Sequence, residues 1–443
     1  LSVRQHTHCA IVTETVDLTT RAKKFLIAAF LFFYLPVAYH FGFNLTYGIL
    51  LDFPSYYYAA QLAFTSNGSP YGLEKFQAVS AMLGRKVHPF LYPPYSLIAF
   101  WPFLPLTIQQ AQSAFLVLSH LCFLGSLWLI IFKITPVDAP TPRRELMIGA
   151  ILIYALVFDP ALSTLAIGQI NLIVLFFMCL ALAAIKHDSA PWRIGLPLSL
   201  AILLKTYPVL LVLLLLFRRQ FKAALMTLAF LGSFILAAVA SLRSEVWHDW
   251  FTLIAPLGHY GENAIAAAFV WNQSLNGFVT RLVMPSGFAI SPLSQPSLAA
   301  PVTDFLAAMV TISTLGLSLL LARRPDRERY RDDEMSAYLL LIFLVAPLSW
   351  DHHLVYILPA LAVVISRLIS EKVTGFPGFF LLLCLFILAW KVPLDHPLFH
   401  AGWWVLLSSI KLYPVLVLWL YFVTRLARPL MFARLGGTPV TVR

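Results

Sequence analysis

Apolar runs of about twenty residues recur along the chain from Phe25 to Leu426, broken by short polar stretches. A run of that length matches the hydrocarbon core of a bilayer when helical. The pattern predicts an all-α polytopic membrane protein of about twelve spans. These fall near 25–46, 92–106, 109–132, 146–165, 170–185, 194–217, 223–242, 301–322, 335–350, 354–369, 376–392 and 404–424. Pro36 predicts a kink in the first span. The interruption after it, from Asn44 to Pro94, reads as two amphipathic helices, 55–66 and 73–83, on the membrane surface, with an irregular loop as the alternative. Asn67-Gly68-Ser69-Pro70 separates the two pieces.

An even number of spans puts both tails, 1–24 and 427–443, in the cytoplasm around one integral-membrane domain, 25–426. It also gathers 44–92, 243–300 and Asp351-His352-His353 on the far side. The loop 133–145 strains this count, because Lys133, Arg143 and Arg144 belong inside by charge. If 92–106 is re-entrant and 194–217 is a pair of half-helices, that loop returns to the cytoplasm and the three far-side segments stay together.

Composition sharpens the class. The chain is 60% hydrophobic and 12% charged, where soluble domains carry roughly a quarter charged residues. The net charge of +11 sits mostly in short loops and tails, which suits anionic headgroups and topology rather than nucleic acid. Cys9, Cys122, Cys179 and Cys384 are scattered and form neither a metal spacing nor a disulfide framework. Residues 1–24 end in Arg21, Lys23 and Lys24 ahead of an uncleaved apolar run, as in a signal anchor. No Walker loop, dinucleotide fingerprint, zincin motif or nucleophile elbow is present, so an activated donor would arrive from the membrane itself.

Several polar islands could carry chemistry. Asp52 follows the first span in Leu51-Asp52-Phe53-Pro54-Ser55-Tyr56-Tyr57-Tyr58. A carboxylate at the bilayer edge can take a proton from a hydroxyl, and a departing phosphate needs no acid partner, unlike glycoside hydrolysis. Asp351-His352-His353 interrupts two apolar runs, where ionisable groups are functional candidates; adjacent imidazoles point apart on a helix, which disfavours a metal. Lys205, mid-run before Pro208, suits a phosphate. Gln169 and Asn171 suit either sugar hydroxyls or helix–helix bonds. Trp271-Asn272-Gln273-Ser274-Leu275-Asn276, with Arg281 beyond it, offers amides and a cation beside aromatic rings. One echo links Lys205-Thr206-Tyr207-Pro208-Val209-Leu210 with Lys411-Leu412-Tyr413-Pro414-Val415-Leu416.

The order of these pieces resembles glycosyltransferase family 87, the polyprenol-phosphate-sugar-dependent transferases of the GT-C superfamily. The matching residues are Asp52 with Tyr57 and Ala60, Gly68 to Tyr71, Phe90-Leu91-Tyr92-Pro93-Pro94 and Gly168-Gln169-Ile170-Asn171. Lys205 with Pro208, Arg218-Arg219, Asn272-Gln273-Ser274 with Arg281, and Trp350-Asp351-His352-His353-Leu354 continue the series. The resemblance implies a GT-C fold and inverting transfer of a hexose, mannose in the first instance, from a polyprenyl-phosphate sugar to a lipid or glycan acceptor. The reaction would take place on the outer face of the cell (inner) membrane. It implies Asp52 as the base and His352 or His353 as a donor contact. Tyr57, Tyr92, Gln169, Asn171, Lys205, Asn272, Gln273 and Arg281 are the further candidate substrate-binding residues. No cofactor or metal is implied; the lipid-linked sugar is a co-substrate. The rival readings are a secondary transporter or lipid flippase, which would show internal repeats with interrupted helices, and a structural subunit without activity.

Overall fold

The computed structural model describes residues 20–47, 50–66, 68–84, 86–136, 141–286, 290–394, 396–400 and 402–434. Cys9, most of the two tails and the centre of the 133–145 loop lie outside these. Among the described residues the chain is largely helical and has no strand; turns and loops join the helices, and Asn272 and Trp350 form an isolated antiparallel bridge. In order the helices are α1 (Thr20–Tyr47), α2 (Phe53–Phe64), α3 (Leu73–Leu83), α4 (Ile108–Leu129), α5 (Thr141–Leu156) and α6 (Asp159–Ile167). There follow α7 (Asn171–Lys186), α8 (Pro191–Leu204), α9 (Leu210–Phe217), α10 (Phe221–Ser241), α11 (Ser244–Asp249) and α12 (Ala264–Ala268). The last six are α13 (Leu275–Val283), α14 (Ala299–Leu321), α15 (Arg331–Val345), α16 (Leu358–Ser370), α17 (Gly375–Ala389) and α18 (Leu412–Arg434).

The apolar faces are turned outward as well as inward, as a hydrocarbon solvent requires. Ile27, Leu31, Phe32 and Leu35 on α1, Leu225 and Leu236 on α10, and Phe376 and Phe379 on α17 are all exposed. Helices α7, α15 and α16 form the buried middle, with nearly every residue from Leu339 to Leu344 and from Leu358 to Val364 enclosed. Close approach is bought with small residues: a Cβ built on Gly195 of α8 would stand 2.7 Å from Met226 Cβ of α10.

Among the described residues five helices are long and apolar enough to cross a membrane, or seven if each of two bent pairs is one span; the chain is an all-α polytopic membrane protein. The twelve full spans expected from the apolar runs are not all present as such, for reasons of length. The run at 92–106 forms a ten-residue 3-10 segment, Pro94–Phe103, about 20 Å long at 2.0 Å per residue against a core of about 30 Å. The run at 194–217 is broken: α8 stops before Lys205, whose backbone is extended at φ −147°, ψ 133°, and α9 resumes at Leu210. The first polar interruption holds two helices close to where they are expected, but α2 is not laid on a surface. Phe53, Tyr56, Tyr57, Ala59, Ala60 and Ala63 are all buried, and α2 packs against the Pro94–Phe103 segment.

The molecule has two chemically different ends. α7, α9 and α16 finish, and α15 begins, in a charged cluster. There Arg218 donates to Glu334 and Glu328, Arg327 to Glu334, and Lys186 and Arg367 pair with Asp332 and Asp333. Arg218 and Arg327 are therefore enclosed in ion pairs, rather than free for headgroups as a basic loop would suggest. The opposite ends of the same helices carry Asn171, Lys205 and the Asp351-His352-His353 turn.

Candidate active site

Four helix breaks meet at that second end. Asp52 lies between α1 and α2, Gln169 between α6 and α7, Lys205 between α8 and α9, and His352 and His353 between α15 and α16. Each break frees side chains from helical packing and turns them toward one cavity of about 650 Å³. Asp52, Tyr92, Gln169, Lys205, His352 and His353 are on its wall.

Asp52 stands at the N-cap position of α2 but makes no cap bond. Its backbone N–H and that of Leu51 both donate to the Ile167 carbonyl, at 2.9 and 3.1 Å, which ties it to the end of α6. The residue is nearly buried. Oδ2 accepts from Gln169 Nε2 at 2.8 Å, and Oδ1 lies 2.6 Å from His88 Nδ1. Gln169 cannot turn over freely, because its Oε1 accepts from the Tyr56 hydroxyl at 2.7 Å and from that of Tyr92 at 3.4 Å. Burial would push the Asp52 carboxyl up. The hydrogen bond and charge of His88, followed by His352 and Gln169, outweigh it and hold the pKa below the usual carboxylate value.

Gly168 makes this alignment possible. It ends α6 in the left-handed region at φ +72°, and a Cβ there would lie 2.8 Å from Leu50 Cδ1. Gly168→Ala should add about 1–2 kcal/mol of backbone strain and push on Leu50, two residues before Asp52. The expected result is a folded protein whose activity falls by about 10²-fold, as a displacement of roughly 1 Å can cause. Thermal unfolding and activity measured on one preparation check this.

Across the cavity, Lys205 is 4% exposed, with Nζ 2.7 Å from His353 Nε2 and above the rings of Tyr92 and Tyr356 at 5.6 and 5.9 Å. The two adjacent imidazoles are perpendicular, at 88°. His353 turns to Lys205, while His352 lines the cavity and its Nε2 is buried without a hydrogen-bond partner. Asn171 acts behind the turn: it accepts from the Tyr356 hydroxyl at 2.5 Å and donates to the His352 carbonyl at 3.4 Å.

Besides Asn171, four expected substrate contacts lie off the cavity wall. Tyr57 donates to the Leu106 carbonyl at 2.8 Å, away from the cavity. Asn272 donates to the Ala267 and Pro347 carbonyls and accepts from the Ser349 N–H. Gln273 donates to the Val270 and Ser408 carbonyls, and Arg281 to the Phe269 and Asn272 carbonyls and Ser409. All three of Asn272, Gln273 and Arg281 are fully buried. Their side chains bond within the 243–300 loop and tie it to Pro347, Ser349, Ser408 and Ser409. Glycine is required in the same knot, since a Cβ on Gly277 would stand 2.5 Å from the Asn272 carbonyl oxygen.

Three contributors were missed from sequence. His88 lies just ahead of the quoted Phe90-to-Pro94 stretch, and its only signal was proximity to it. Tyr56 was quoted as a neighbour of Asp52, and alternation of faces along α2 could have singled it out. Lys411 was visible as the echo of Lys205. The structure gives that echo a meaning: Lys411 also sits at a break, where the chain bends by 53° into α18. Its Nζ is 2.9 Å from Asp351. Two lysines at two breaks thus grip one Asp-His-His turn.

The model for glycosyltransferase family 87 matches residues 90–349, more than half of the chain. The chain belongs to glycosyltransferase family 87. The matched part contains Tyr92, Gln169, Lys205 and the Asn272–Arg281 knot; Asp52 and His88 precede it and His352, His353 and Lys411 follow it. Two similar proteins are polyprenol-phosphate-mannose-dependent alpha-(1-2)-phosphatidylinositol mannoside mannosyltransferases. That of Mycobacterium tuberculosis is 28% identical over 288 residues, 62% of each chain, and that of Mycolicibacterium smegmatis 29% over 290, 62% of this chain and 61% of the relative. A polyprenol-phosphate-mannose-dependent alpha-(1-2)-phosphatidylinositol pentamannoside mannosyltransferase of Mycobacterium tuberculosis is 25% identical, over 64% of this chain and 60% of its own. The alignments span a little over three-fifths of the length of these relatives.

Proposed function

We propose that this family 87 protein transfers a hexose, mannose in the first instance, from a polyprenyl-phosphate sugar to a lipid or glycan acceptor. The reaction takes place on the outer face of the cell membrane and inverts the anomeric carbon. The observation that carries the reading is the placement of a nearly buried carboxylate on the wall of the same cavity as a buried lysine and an imidazole with an unpartnered nitrogen. The acceptor hydroxyl gives its proton to Asp52 as its oxygen forms a bond to C1. The C1–O bond to phosphate breaks, with its electron pair left on the polyprenyl phosphate. Lys205 and His352 face the growing charge on that phosphate, and Asp52 then returns the proton to water. No acid is needed because phosphate departs unprotonated. A second cavity of about 390 Å³, bounded by Val209, Leu210, Ile254 and Ile342, shares Leu91, Tyr207 and Leu348 with the first. Its apolar lining is suited to a prenyl chain. The relatives' phosphatidylinositol mannoside acceptors support a mannosylated lipid as the first acceptor to try.

Purified protein incubated with radiolabelled polyprenyl-phosphate mannose and a lipid extract should yield a labelled lipid or glycan; a donor that stays intact overturns the reading. The transporter reading gains the two interrupted helices at Lys205 and Lys411. It leaves the Asp52–Gln169–Tyr56 arrangement without a task, and it predicts no covalent product in the same experiment.

A further inference from the structure

His88 occupies a place that the reaction as described leaves unused. It lies in the segment between α3 and Pro94, and that segment is fastened. The Val87 N–H donates to Ser80 Oγ at 2.9 Å, and Ser80 Oγ donates to the Phe76 carbonyl at 2.7 Å, so the stretch is anchored on α3. Val87 on one side and Phe90 on the other are buried, and Phe90 packs on Tyr71 and Tyr92. The backbone on both sides of His88 is therefore held. Its imidazole lines the cavity, with a side chain 40% exposed beside an Asp52 side chain only 8% exposed.

We infer that His88 is the positioning residue of the base: its Nδ1–H holds Asp52 ionised and in a single orientation while the acceptor hydroxyl takes a remaining lone pair of the carboxylate. This rests on the reading of Asp52 as the group that takes the acceptor's proton. The hydrogen belongs on Nδ1 whenever Asp52 is ionised, since two facing lone pairs at 2.6 Å would repel. A carboxylate accepts at several sites, so bonds from His88 and Gln169 leave room for a third partner. Gln169 alone is a weaker holder, because it fixes Oδ2 only, whereas His88 fixes Oδ1 and with it the plane of the carboxylate. The other titratable or charged groups on the cavity wall around this pair are Tyr56 from α2, Tyr92 and Lys86 from the His88 segment, Lys205 and Tyr207 from the α8–α9 break, and His352 and His353 from the α15–α16 break. His88 has the largest influence among them on the Asp52 carboxyl.

The test is His88→Leu against His88→Asn, with Asp52→Asn alongside, using polyprenyl-phosphate mannose and lipid extract across pH. His88→Leu should lower kcat by about 10–100-fold, the range expected for one strong positioning bond, with donor KM within about threefold. A base works above its own pKa and fails as pH falls through it. Loss of His88 raises the Asp52 pKa, so the acid limb of kcat/KM should move to higher pH. His88→Asn, whose amide N–H can stand where Nδ1–H stood, should restore most of the rate and move the limb back. His88→Ala serves in place of His88→Leu if the latter does not accumulate. A wild-type rate and limb in the apolar variants overturns the proposal. So does a loss without movement of the limb, or an Asn variant as impaired as the Leu variant. If Asp52→Asn is fully active, the base assignment itself has failed, and that outcome is distinct from any of these.

Discussion

Asp52→Asn should leave a folded, monodisperse protein that transfers sugar about 10²–10⁴-fold more slowly, the usual contribution of a positioned general base. The substitution is nearly isosteric, and its amide oxygen can still accept one of the two bonds now made by Gln169 at 2.8 Å and His88 at 2.6 Å. The backbone ties to Ile167 do not involve the side chain, so α2 should keep its place. What is lost is the negative charge that receives the acceptor's proton. Lys205 and His352 belong to other breaks in the chain, so donor binding should change little. A fall in kcat with nearly unchanged donor KM marks an interaction used only in the transition state. Near-normal transfer by this variant would remove Asp52 from the mechanism.

How far the site was legible depended on how each residue announces itself in a sequence. Asp52, Lys205 and the Asp351-His352-His353 turn are ionisable groups set against apolar runs, and the cost of placing charge in or beside hydrocarbon makes such positions conspicuous. Gln169 stood out as a polar break after Gly168. Asn272, Gln273 and Arg281 were equally conspicuous, yet they are absorbed largely by backbone carbonyls of the irregular 243–300 loop. A buried loop must satisfy its own backbone polar groups, and polar side chains recruited for that are indistinguishable in sequence from ligand contacts. His88 was missed for the opposite reason: it lies in a polar segment where a histidine costs nothing, and only folding brings it to residue 52. The same holds for the span count. Apolar runs report what is shielded from water, but α7 is shielded by other helices, and at 194–217 Lys205 and Pro208 left a full span and a pair of half-helices both open.

The second large effect concerns the far end of the chain, beyond the matched family segment. Lys411 is fully buried and Asp351 nearly so, with Nζ 2.9 and 3.2 Å from the two carboxylate oxygens. The Lys411 backbone N–H also donates to Gln273 Oε1 at 3.1 Å, so one residue joins the final helix, the 243–300 loop and the histidine turn. Lys411→Met leaves the carboxylate uncompensated and Asp351→Leu leaves the ammonium so. Each should destabilise the fold by about 3–5 kcal/mol, the cost of breaking a buried pair from one side. The double variant removes both charges and should recover most of that loss, because a buried pair replaced by apolar side chains is often neutral. Thermal unfolding in detergent of the two single variants and the double checks the expectation; additive losses would show that the pair does not act as one unit. The backbone bonds from Asp351 N to the Trp271 carbonyl at 2.9 Å and from Gln273 N to the Ser349 carbonyl at 2.7 Å survive all three substitutions. The histidine turn should therefore stay opposite Asp52 in the double variant, and sugar transfer should return with stability. A stable double variant without activity would instead make the ionic grip itself a requirement for holding His352 and His353 in register.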